Sequence, residues 1–576
     1  MCVETAAASA QVPPPIVYTI AGSDSGGGAG IQADLHAIHG MGCHGCSAIT
    51  CLTAQNSVAV TAVHTPPASF LREQLDALNS DMPPDAIKVG MLGSVELATE
   101  VGKFLKEANK AGALIVVDPV MISTSGHRLI DTDTQKAMIE LVFPYAHILT
   151  PNKYEAEVLL GRKLKSPQDV EKGANDLLKM GLRSVLIKGG HSLIEGGDNE
   201  VFLPDVNATL GYAQDFFLSS EEVPEQDERM CDGAKGVWLR SVRFDSEHTH
   251  GTGCTLSSAI ASALAIGSQR RRSKNSSGAE SSINLIDACC LGKAYVTQGI
   301  GRGVRIGKGS GPVFQTHFPN SSRHFPSIVR DPSSHEVMNF KQMRVNKCAE
   351  LLEKNEMRET NIDELGCLFP IVDSLEWVKK VSALRGITDI QLRIKNEKNK
   401  DVIIDIVKEA NAICKNNNIR LWVNDFWEAA IQADCYGVHV GQEDLMACYR
   451  NGGIDQLKNN KLALGISTHS FAELSIALGL DPTYISLGPI FGTTSKSVAF
   501  SPQGTRTIKK WRELIPAHIP LMVIGGINDV TLAEVVKEAG ASSVAVIGAI
   551  TKADKKQEVV DEFTAIFDQQ GVLSRS

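Results

Sequence analysis

LFPIVD (368–373), DIQLRIK (389–395), IRLWVND (419–425), YGVHVG (436–441), LALGIS (462–467), YISLGPI (484–490), LMVIGGI (521–527) and SVAVIGAI (543–550) form a series of short apolar runs, each followed by enough residues for a helix. Eight such units are what a closed TIM (β/α)8 barrel requires. Glycine and polar residues gather at the C-terminal end of each run, the face on which that architecture builds its active site.

Toward the N-terminus this rhythm stops. The stretch PNSSRHFPSIVRDPSSHE (319–336) combines proline and serine with little apolar content, which predicts an interdomain linker over 319–345. The barrel domain then occupies 346–570 and a first domain 16–318, with 1–15 as a disordered tail. Within the first domain, IVYTIAGSD (16–24), AIKVGML (86–92), ALIVVDPV (113–120), HILTPN (147–152) and SVLIKGG (184–190) alternate with helical patterns. Each run is apolar almost throughout, as strands buried on both faces are, so an open and mainly parallel sheet with helices on both sides is expected. A polar stretch from Glu221 to Lys235 reads as a surface insertion.

A formal net charge of −9 over 576 residues leaves no basic face to compete for a phosphate backbone, which argues against a nucleic-acid partner. Arg270, Arg271, Arg272 and Lys274 lie in a Ser/Asn/Gly-rich stretch and read as a solvated loop. Thirteen cysteines are scattered without a signal peptide ahead of them, which fits a reducing compartment. Cys43 and Cys46 form an isolated CxxC with no second pair at metal-finger spacing, so a turn entering a buried strand is the expectation there. No run approaches the roughly 20 apolar residues that span a bilayer, so no membrane association is expected. MCVETAAASAQVPPP (1–15) carries no Arg or Lys and resembles neither a secretory nor an Arg-rich transit signal. A cytoplasmic setting follows, with a plastid as the alternative.

The first domain's most specific signal is HTHGTGCTLSSAIASALAIG (248–267). Gly251 and Gly253 permit a tight turn, Thr252 and Thr255 can cap, and an apolar helical pattern starts at once. Backbone N–H groups at such a helix start form an anion hole suited to a transferring phosphoryl group. Near the N-terminus, AGSDSGGGAGIQADL (21–35) follows a strand and supplies a flexible turn through Gly26, Gly27 and Gly28, with Asp24 and Asp34 as polar anchors. It lacks the Gly-Lys-Ser/Thr ending of a Walker A loop.

With TAQNS (53–57), KVGML (88–92), VVDPVM (116–121), LTPNKYEAE (149–157), VLIKGGH (185–191) and GKGSGPV (307–313), these blocks resemble the hydroxymethylpyrimidine and phosphomethylpyrimidine kinases of the ribokinase superfamily over nearly all of Ile16 to Val313. The resemblance implies a ribokinase-like three-layer αβα domain that phosphorylates hydroxymethylpyrimidine twice from ATP with Mg²⁺. It implies that Gly22, Asp34, Gln55 and Met91 contact the pyrimidine, that Asn152 and Glu155 help organise Mg²⁺ and phosphate, and that Lys188 lies beside the nucleotide phosphates with Gly251, Thr252 and Gly253. Cys254 stands where sugar kinases of the superfamily carry an aspartate base. A helix start that lowers its pKa would fit it to accept a proton. His248 and Lys308 depart from the commoner residues of their blocks. Pyridoxal is a further substrate allowed on this fold.

In the barrel, alternation along QLRIK predicts Gln391, Arg393 and Lys395 on one face of a strand. Asp425 and Asp444, at the ends of neighbouring strands, are placed to meet, and two carboxylates facing an Arg and a Lys suit Mg²⁺ and pyrophosphate. GPIFGTTSKS (488–497) offers hydroxyl donors beside Lys496, and the glycines after the seventh and eighth runs sit where barrels bind phosphate through backbone N–H groups. In this order the blocks resemble thiamine-phosphate synthase over Leu368 to Ile550. The resemblance implies that Gln391, Arg393, Lys395, Asn424, Ser467 and Lys496 hold the pyrimidine diphosphate and that Asp425 and Asp444 bind Mg²⁺. It implies that Thr493, Thr494, Ser495, Gly526, Ile547 and Gly548 hold the thiazole phosphate. Arg393 and Lys496 would stabilise departing pyrophosphate, as Cys254 and Lys188 would serve the kinase. Gly492 stands where many members have proline. The product of the first half is then the substrate of the second. A homo-oligomer is expected. A vitamin B6 kinase joined to an inactive barrel, or a barrel that binds thiamine phosphate without turnover, remain the alternatives.

Overall fold

The computed structural model describes residues 13–121, 130–189, 211–220, 236–272, 283–330, 332, 340, 365–492 and 501–569. The chain divides into two compact units, the first built from 1–221, 242–269 and 283–319, the second from 222–241, 270–282 and 320–576.

The first unit is organised on β1 (Ile16–Asp24), β2 (His44–Gln55), β3 (Val60–His64), β4 (Ala86–Val89), β5 (Leu114–Val117), β6 (Ile148–Leu149), β7 (Ser184–Ile187) and β8 (Tyr212–Ser219). They lie side by side in the order β8-β7-β6-β5-β4-β1-β2-β3. Pairing is parallel from β7 to β2, and antiparallel for β2 with β3 and β7 with β8. Ile115, Val116 and Val117 are all fully buried. Successive strand residues point to opposite faces, so both faces of the sheet are covered and the domain has three layers. The strand order reverses at β1, which lies between β4 and β2. Ligands of open α/β sheets bind in the crevice beyond such a reversal.

The second unit holds a closed parallel barrel, β11 (Leu368–Val372), β12 (Asp389–Leu392), β13 (Arg420–Asn424), β14 (Gly437–Val440), β15 (Ala463–Thr468), β16 (Tyr484–Leu487), β17 (Leu521–Ile524) and β18 (Ser543–Val546). Each of the eight apolar runs supplies one strand. Phe369, Trp422, Tyr436 and Tyr484 fill the interior, with Trp422 and Tyr484 meeting edge to face at 4.9 Å. Glycine makes the room for them. A Cβ on Gly465 would lie 2.2 Å from the Tyr484 ring, and one on Gly437 2.8 Å from Trp422. At the N-terminal end of the barrel Asp389 accepts from Arg420 Nε at 2.8 Å, Trp422 Nε1 at 2.8 Å, Thr388 Oγ1 at 2.9 Å and the Gly366 amide at 2.9 Å. Losing one partner of such a buried pair costs about 3–5 kcal/mol.

Part of the stretch expected as a linker is regular structure. β10 (Ser327–Val329) pairs antiparallel with β9 (Gly236–Val242), Ile328 opposite Leu239. Phe325 and Ile328 are buried, and the Phe325 ring lies 6.3 Å from that of Phe471 on the helix Phe471–Leu480. The apolar residues hidden among prolines and serines therefore cover a barrel helix. Residues 341–345 of the same stretch, most of the N-terminal tail and the 221–235 insertion lie outside the described residues. The arginines expected in a loop instead end a helix, Thr252–Arg272. Cys43 and Cys46 are buried, and burial pushes the Cys43 thiol up to about 12.

Candidate active sites

At the strand-order reversal of the first unit, the pairing of β1 with β2 slips between Ala21 and Ser23. That irregularity turns Gly22 toward Cys51 and Met91, where a Cβ would come within 2.6 Å of Cys51 Sγ and 3.5 Å of Met91 Cε. Gln55 follows on the end of β2, half-buried, with Thr53 Oγ1 donating to its Oε1 at 3.2 Å. Gly22 and Met91 are thus neighbours, and Gln55 ends the strand that pairs with β1. Asp34 differs. Its side chain is fully buried, Oδ2 accepting from Lys88 Nζ at 2.7 Å and Thr19 Oγ1 at 2.6 Å, and Oδ1 from Ser258 Oγ at 2.8 Å. With both oxygens engaged and its side chain fully buried, Asp34 presents no exposed oxygen. Asp24 is likewise turned inward, onto its own glycine turn: Oδ1 accepts from Gly26 N at 2.8 Å, Oδ2 from Ala29 N at 2.9 Å.

The second glycine loop leads into the helix Thr252–Arg272. Gly251 has φ +78°, and a Cβ there would sit 1.9 Å from the Gly28 carbonyl, so the two glycine loops are in direct contact and glycine is needed on steric grounds. A Cβ on Gly253 would be 3.1 Å from Lys188 Nζ and 3.4 Å from Asp118 Oδ2. Lys188 Nζ donates to Asp118 Oδ1 at 2.7 Å. Burial pulls the Lys188 ammonium down, but Asp118 and Glu155 outweigh it and hold the pKa above the usual range. Lys188, Asp118 and Gly253 are therefore one cluster. Asp118 was not singled out from the sequence, although a lone carboxylate ending the run ALIVVD is the signal that marks it.

Asn152 and Glu155 form a reciprocal capping box on the helix Lys153–Leu160, Glu155 N donating to Asn152 Oδ1 at 2.9 Å and Asn152 N to Glu155 Oε2 at 2.7 Å. The NxxE spacing is thus spent first on a helix start. Burial, with a smaller contribution from Asp118, pushes Glu155 up to about 7 against the opposing pull of Lys188. Cys254 corrects the sequence expectation of a lowered pKa. Burial outweighs the nearby Lys88 cation and the Gly30 amide, and the thiol is pushed up to about 11. Cys254 is partly exposed, whereas the other nine cysteines among the described residues are buried.

In the barrel, regular strand β12 ends at Leu392, and the Arg393 amide donates to the Val372 carbonyl at 2.7 Å just beyond it. Gln391 points inward, 3% exposed, and donates to Asn424 Oδ1 at 2.7 Å. Asn424 in turn donates to Asp425. Arg393 and Lys395 belong to the loop beyond the strand and line a cleft of about 180 Å³ with Ile371, Val372, Asp373, Trp377, Ile547 and Thr551. Lys395 Nζ lies 3.4 Å from Asp373 Oδ2.

Asp425 turns the chain with φ +67°, a conformation that Asp tolerates better than most residues. Asp444 stands in the first turn of the helix Gln442–Arg450, where a helix start favours negative charge. The two carboxylates face each other. Burial and the Asp444 charge push Asp425 up to about 7, with Arg393 and the Gly441 amide pulling the other way. Each of the two carboxylates raises the cost of ionising the other, and Arg393 offsets part of it.

Ser467 accepts or donates at 2.9 Å to His439 Nε2, whose Nδ1 meets the Tyr484 hydroxyl at 2.8 Å. His439 was missed in the sequence, though the alternation Gly437, His439 already places both on the inner face of β14. After β17, Gly525 and Gly526 have φ +102° and +66°, and a Cβ on Gly526 would lie 2.7 Å from the Gly492 carbonyl. The glycine pair therefore backs onto the loop that leads to residue 493. Ile547 lines the cleft and Gly548 opens the short helix Gly548–Thr551. Thr493, Thr494, Ser495 and Lys496 lie outside the described residues.

Two families match in tandem, Phosphomethylpyrimidine kinase over residues 24–314 and Thiamine monophosphate synthase over 369–550. The chain is 32% identical over 575 residues to a chloroplastic thiamine biosynthetic bifunctional enzyme of Arabidopsis thaliana, covering 98% of this chain and 92% of that protein. It is 30% identical over 536 residues to a probable chloroplastic thiamine biosynthetic bifunctional enzyme of Oryza sativa subsp. japonica, covering 91% of this chain and 83% of that one. A thiamine biosynthesis bifunctional protein of Geobacter sulfurreducens is 38% identical over 304 residues, 53% of each chain.

Proposed function

The chain belongs to the bifunctional thiamine biosynthetic enzymes, and from that premise we propose how its residues divide the work. The first unit is a hydroxymethylpyrimidine and phosphomethylpyrimidine kinase with a ribokinase-like fold; the second is a thiamine-phosphate synthase. ATP is the phosphoryl donor. Kinase function is assigned to residues 16–318 and synthase function to 346–570.

In the kinase, the ring lies in the crevice bounded by Gly22, Gln55 and Met91, with Asp34 fixing that wall from behind through Lys88. The γ-phosphoryl group is received by the amides of Gly251, Thr252 and Gly253, with Lys188 against its oxygens. Asp118 holds Lys188 in place, and Asn152 and Glu155 fix the helix start beside it. The substrate hydroxyl oxygen forms the new O–P bond as the bond to the nucleotide β-phosphate oxygen breaks, and positioning with charge stabilisation supplies most of the catalysis. Cys254 lies next to that hydroxyl. As its thiol is protonated at neutral pH, Cys254 gives that proton to solvent and, as thiolate, takes up the proton of the substrate hydroxyl as the O–P bond forms. The second transfer uses a phosphate oxygen as nucleophile and makes no such demand.

In the synthase, the observation that carries the assignment is the facing pair Asp425 and Asp444 beside Arg393. These residues fit Mg²⁺, which takes one or two carboxylates and completes its shell with water and phosphate oxygens. Bound there, Mg²⁺ would neutralise charge on the leaving pyrophosphate. Arg393 and Lys395 hold the diphosphate in the cleft, joined by Lys496, while Gln391, Asn424 and Ser467 orient the pyrimidine. The methylene C–O bond breaks with its electron pair on pyrophosphate, and the thiazole nitrogen lone pair closes the new C–N bond. Thr493, Thr494, Ser495 and the amides near Gly526, Ile547 and Gly548 hold the thiazole phosphate.

Among the described residues no helix is long and apolar enough to cross a membrane. Both plant relatives are named chloroplastic, so the plastid stands beside the cytoplasm as the compartment to test by fractionation. The deciding experiment for function is one reaction with hydroxymethylpyrimidine, thiazole phosphate, ATP and Mg²⁺. The wild type should form thiamine phosphate; Cys254→Ala should leave hydroxymethylpyrimidine unconsumed, and Asp425→Ala should accumulate the pyrimidine diphosphate. Absence of thiamine phosphate from wild type, or arrest of both variants at one step, would overturn the assignment.

A further inference from the structure

The aligned glycine loops of the first unit are joined by a polar contact to which no role has been given. Asp24 Oδ2 meets His250 Nε2 at 3.2 Å, and the same oxygen accepts the amides of Gly28 at 3.2 Å and Ala29 at 2.9 Å. Oδ1 accepts Gly26 N at 2.8 Å. One carboxylate thus organises the whole glycine turn and reaches across to the other loop. Hydrogen bonds and burial act against each other here. Although burial raises it, the contacts from His250, Gly26 and Ala29 hold Asp24 below the usual carboxylate value.

His250 is itself fixed on both sides. Its amide donates to Gly311 O at 3.2 Å and its carbonyl accepts from Val313 N at 3.0 Å, which ties it to the GKGSGPV segment. The imidazole lies flat enough on the turn that a Cβ on Gly28 would come within 2.4 Å of His250 Cδ2. One residue further on, Gly251 approaches the Gly28 carbonyl so closely that a Cβ would sit 1.9 Å from it. The side chains of Asp24 and His250 are 4% and 17% exposed. The Gly26–Gly28 turn and the loop entering the helix are therefore held together by His250, immediately ahead of Gly251 to Cys254, and by the close approach of Gly251 to Gly28.

We propose that His250 is a positioning residue for phosphoryl transfer: through Asp24 it locks the Gly26–Gly28 turn, which follows Gly22 of the pyrimidine crevice, to the loop that receives the phosphoryl group, so that acceptor and phosphorus are aligned together. The proposal rests on the kinase assignment above. Misplacement of reacting groups by about 1 Å costs on the order of 100-fold in rate, and that is the scale of effect the contact controls.

The test uses the full-length chain, with hydroxymethylpyrimidine and ATP for the kinase and supplied pyrimidine diphosphate with thiazole phosphate for the synthase. His250→Ala should lower kinase kcat by about 10- to 100-fold, leave the synthase rate as in wild type, and keep the kinase unit folded by hydrogen exchange of β1 and β4. His250→Gln, whose amide can reach Asp24, should recover at least half of the lost kcat on a logarithmic scale. A His250→Ala enzyme within twofold of wild type overturns the proposal. So does a Gln variant as slow as Ala, or a loss of kcat in proportion to loss of protected β1 and β4 amides. An inactive wild-type kinase would instead overturn the assignment on which the proposal rests.

Discussion

Alkylation of Cys254 across a range of pH measures directly how burial competes with the helix start. Burial raises the thiol from the ordinary 9.0 to about 11, so the thiolate fraction at neutral pH falls by about 100-fold. Lys88 works against that rise, and Asp34 and Asp118 add to it. With Cys2, Cys231 and Cys348 replaced by Ser, the remaining nine cysteines are buried, leaving Cys254 as the accessible thiol. Iodoacetamide labelling of the peptide that contains Cys254 should then accelerate about tenfold per pH unit from pH 6.5 to about 9.5 without a plateau. Asp34→Asn removes a negative charge and leaves Lys88 unopposed, so at fixed pH it should speed labelling by about tenfold for each unit of pKa recovered. A plateau below about pH 8.5, or an Asp34→Asn protein that labels no faster while still folded, would refute the reasoning. The linkage has a definite sign. A thiol raised in the folded state stabilises below its unfolded pKa near 9, and that contribution is lost as pH rises from about 9 through 11, so the first unit should melt at lower temperature across that window.

Gly251→Ala places a Cβ 1.9 Å from the Gly28 carbonyl at a positive φ; the kinase should lose about 100-fold in kcat while the synthase, assayed with supplied pyrimidine diphosphate, is unchanged. Asp444→Asn weakens the cation site, and synthase kcat should fall by about 10²–10³, with kinase turnover intact in the same preparation. Arg420→Leu strands the buried Asp389 carboxylate and should destabilise the barrel by about 3–5 kcal/mol, read as an earlier unfolding transition in urea that is accompanied by loss of synthase but not kinase activity.

The barrel was legible because strands buried on both faces read as continuous apolar runs, and every one of LFPIVD through SVAVIGAI became a strand. Boundaries within those runs were not. QLRIK looks like one face of a strand; regular pairing with β13 ends at Leu392, and Arg393 and Lys395 reach one cleft from the segment beyond it. The NxxE at Asn152 is a ligand-like spacing and equally a helix cap, and sequence alone does not choose between them. The place of Cys254 at a helix start predicts a lowered pKa, whereas the burial and the Asp34 and Asp118 charges that raise it come from parts of the chain distant in sequence. His439 needed Ser467 and Tyr484, 28 and 45 residues away, before a role for it was visible. β10 was hidden because three residues among prolines and serines carry no periodicity to read.

That small strand governs how the protein can be taken apart. Its hydrogen-bonding partners, Trp238 to Arg240, are encoded inside the kinase portion of the sequence, yet they belong to the same compact unit as the barrel. Cleaving the polypeptide once between the GKGSGPV segment and Phe325 would leave β10 and the cover of the Phe471 helix on the synthase fragment but take away the β9 strand that β10 pairs with, so the two catalysts are interleaved along the gene product and not merely strung end to end.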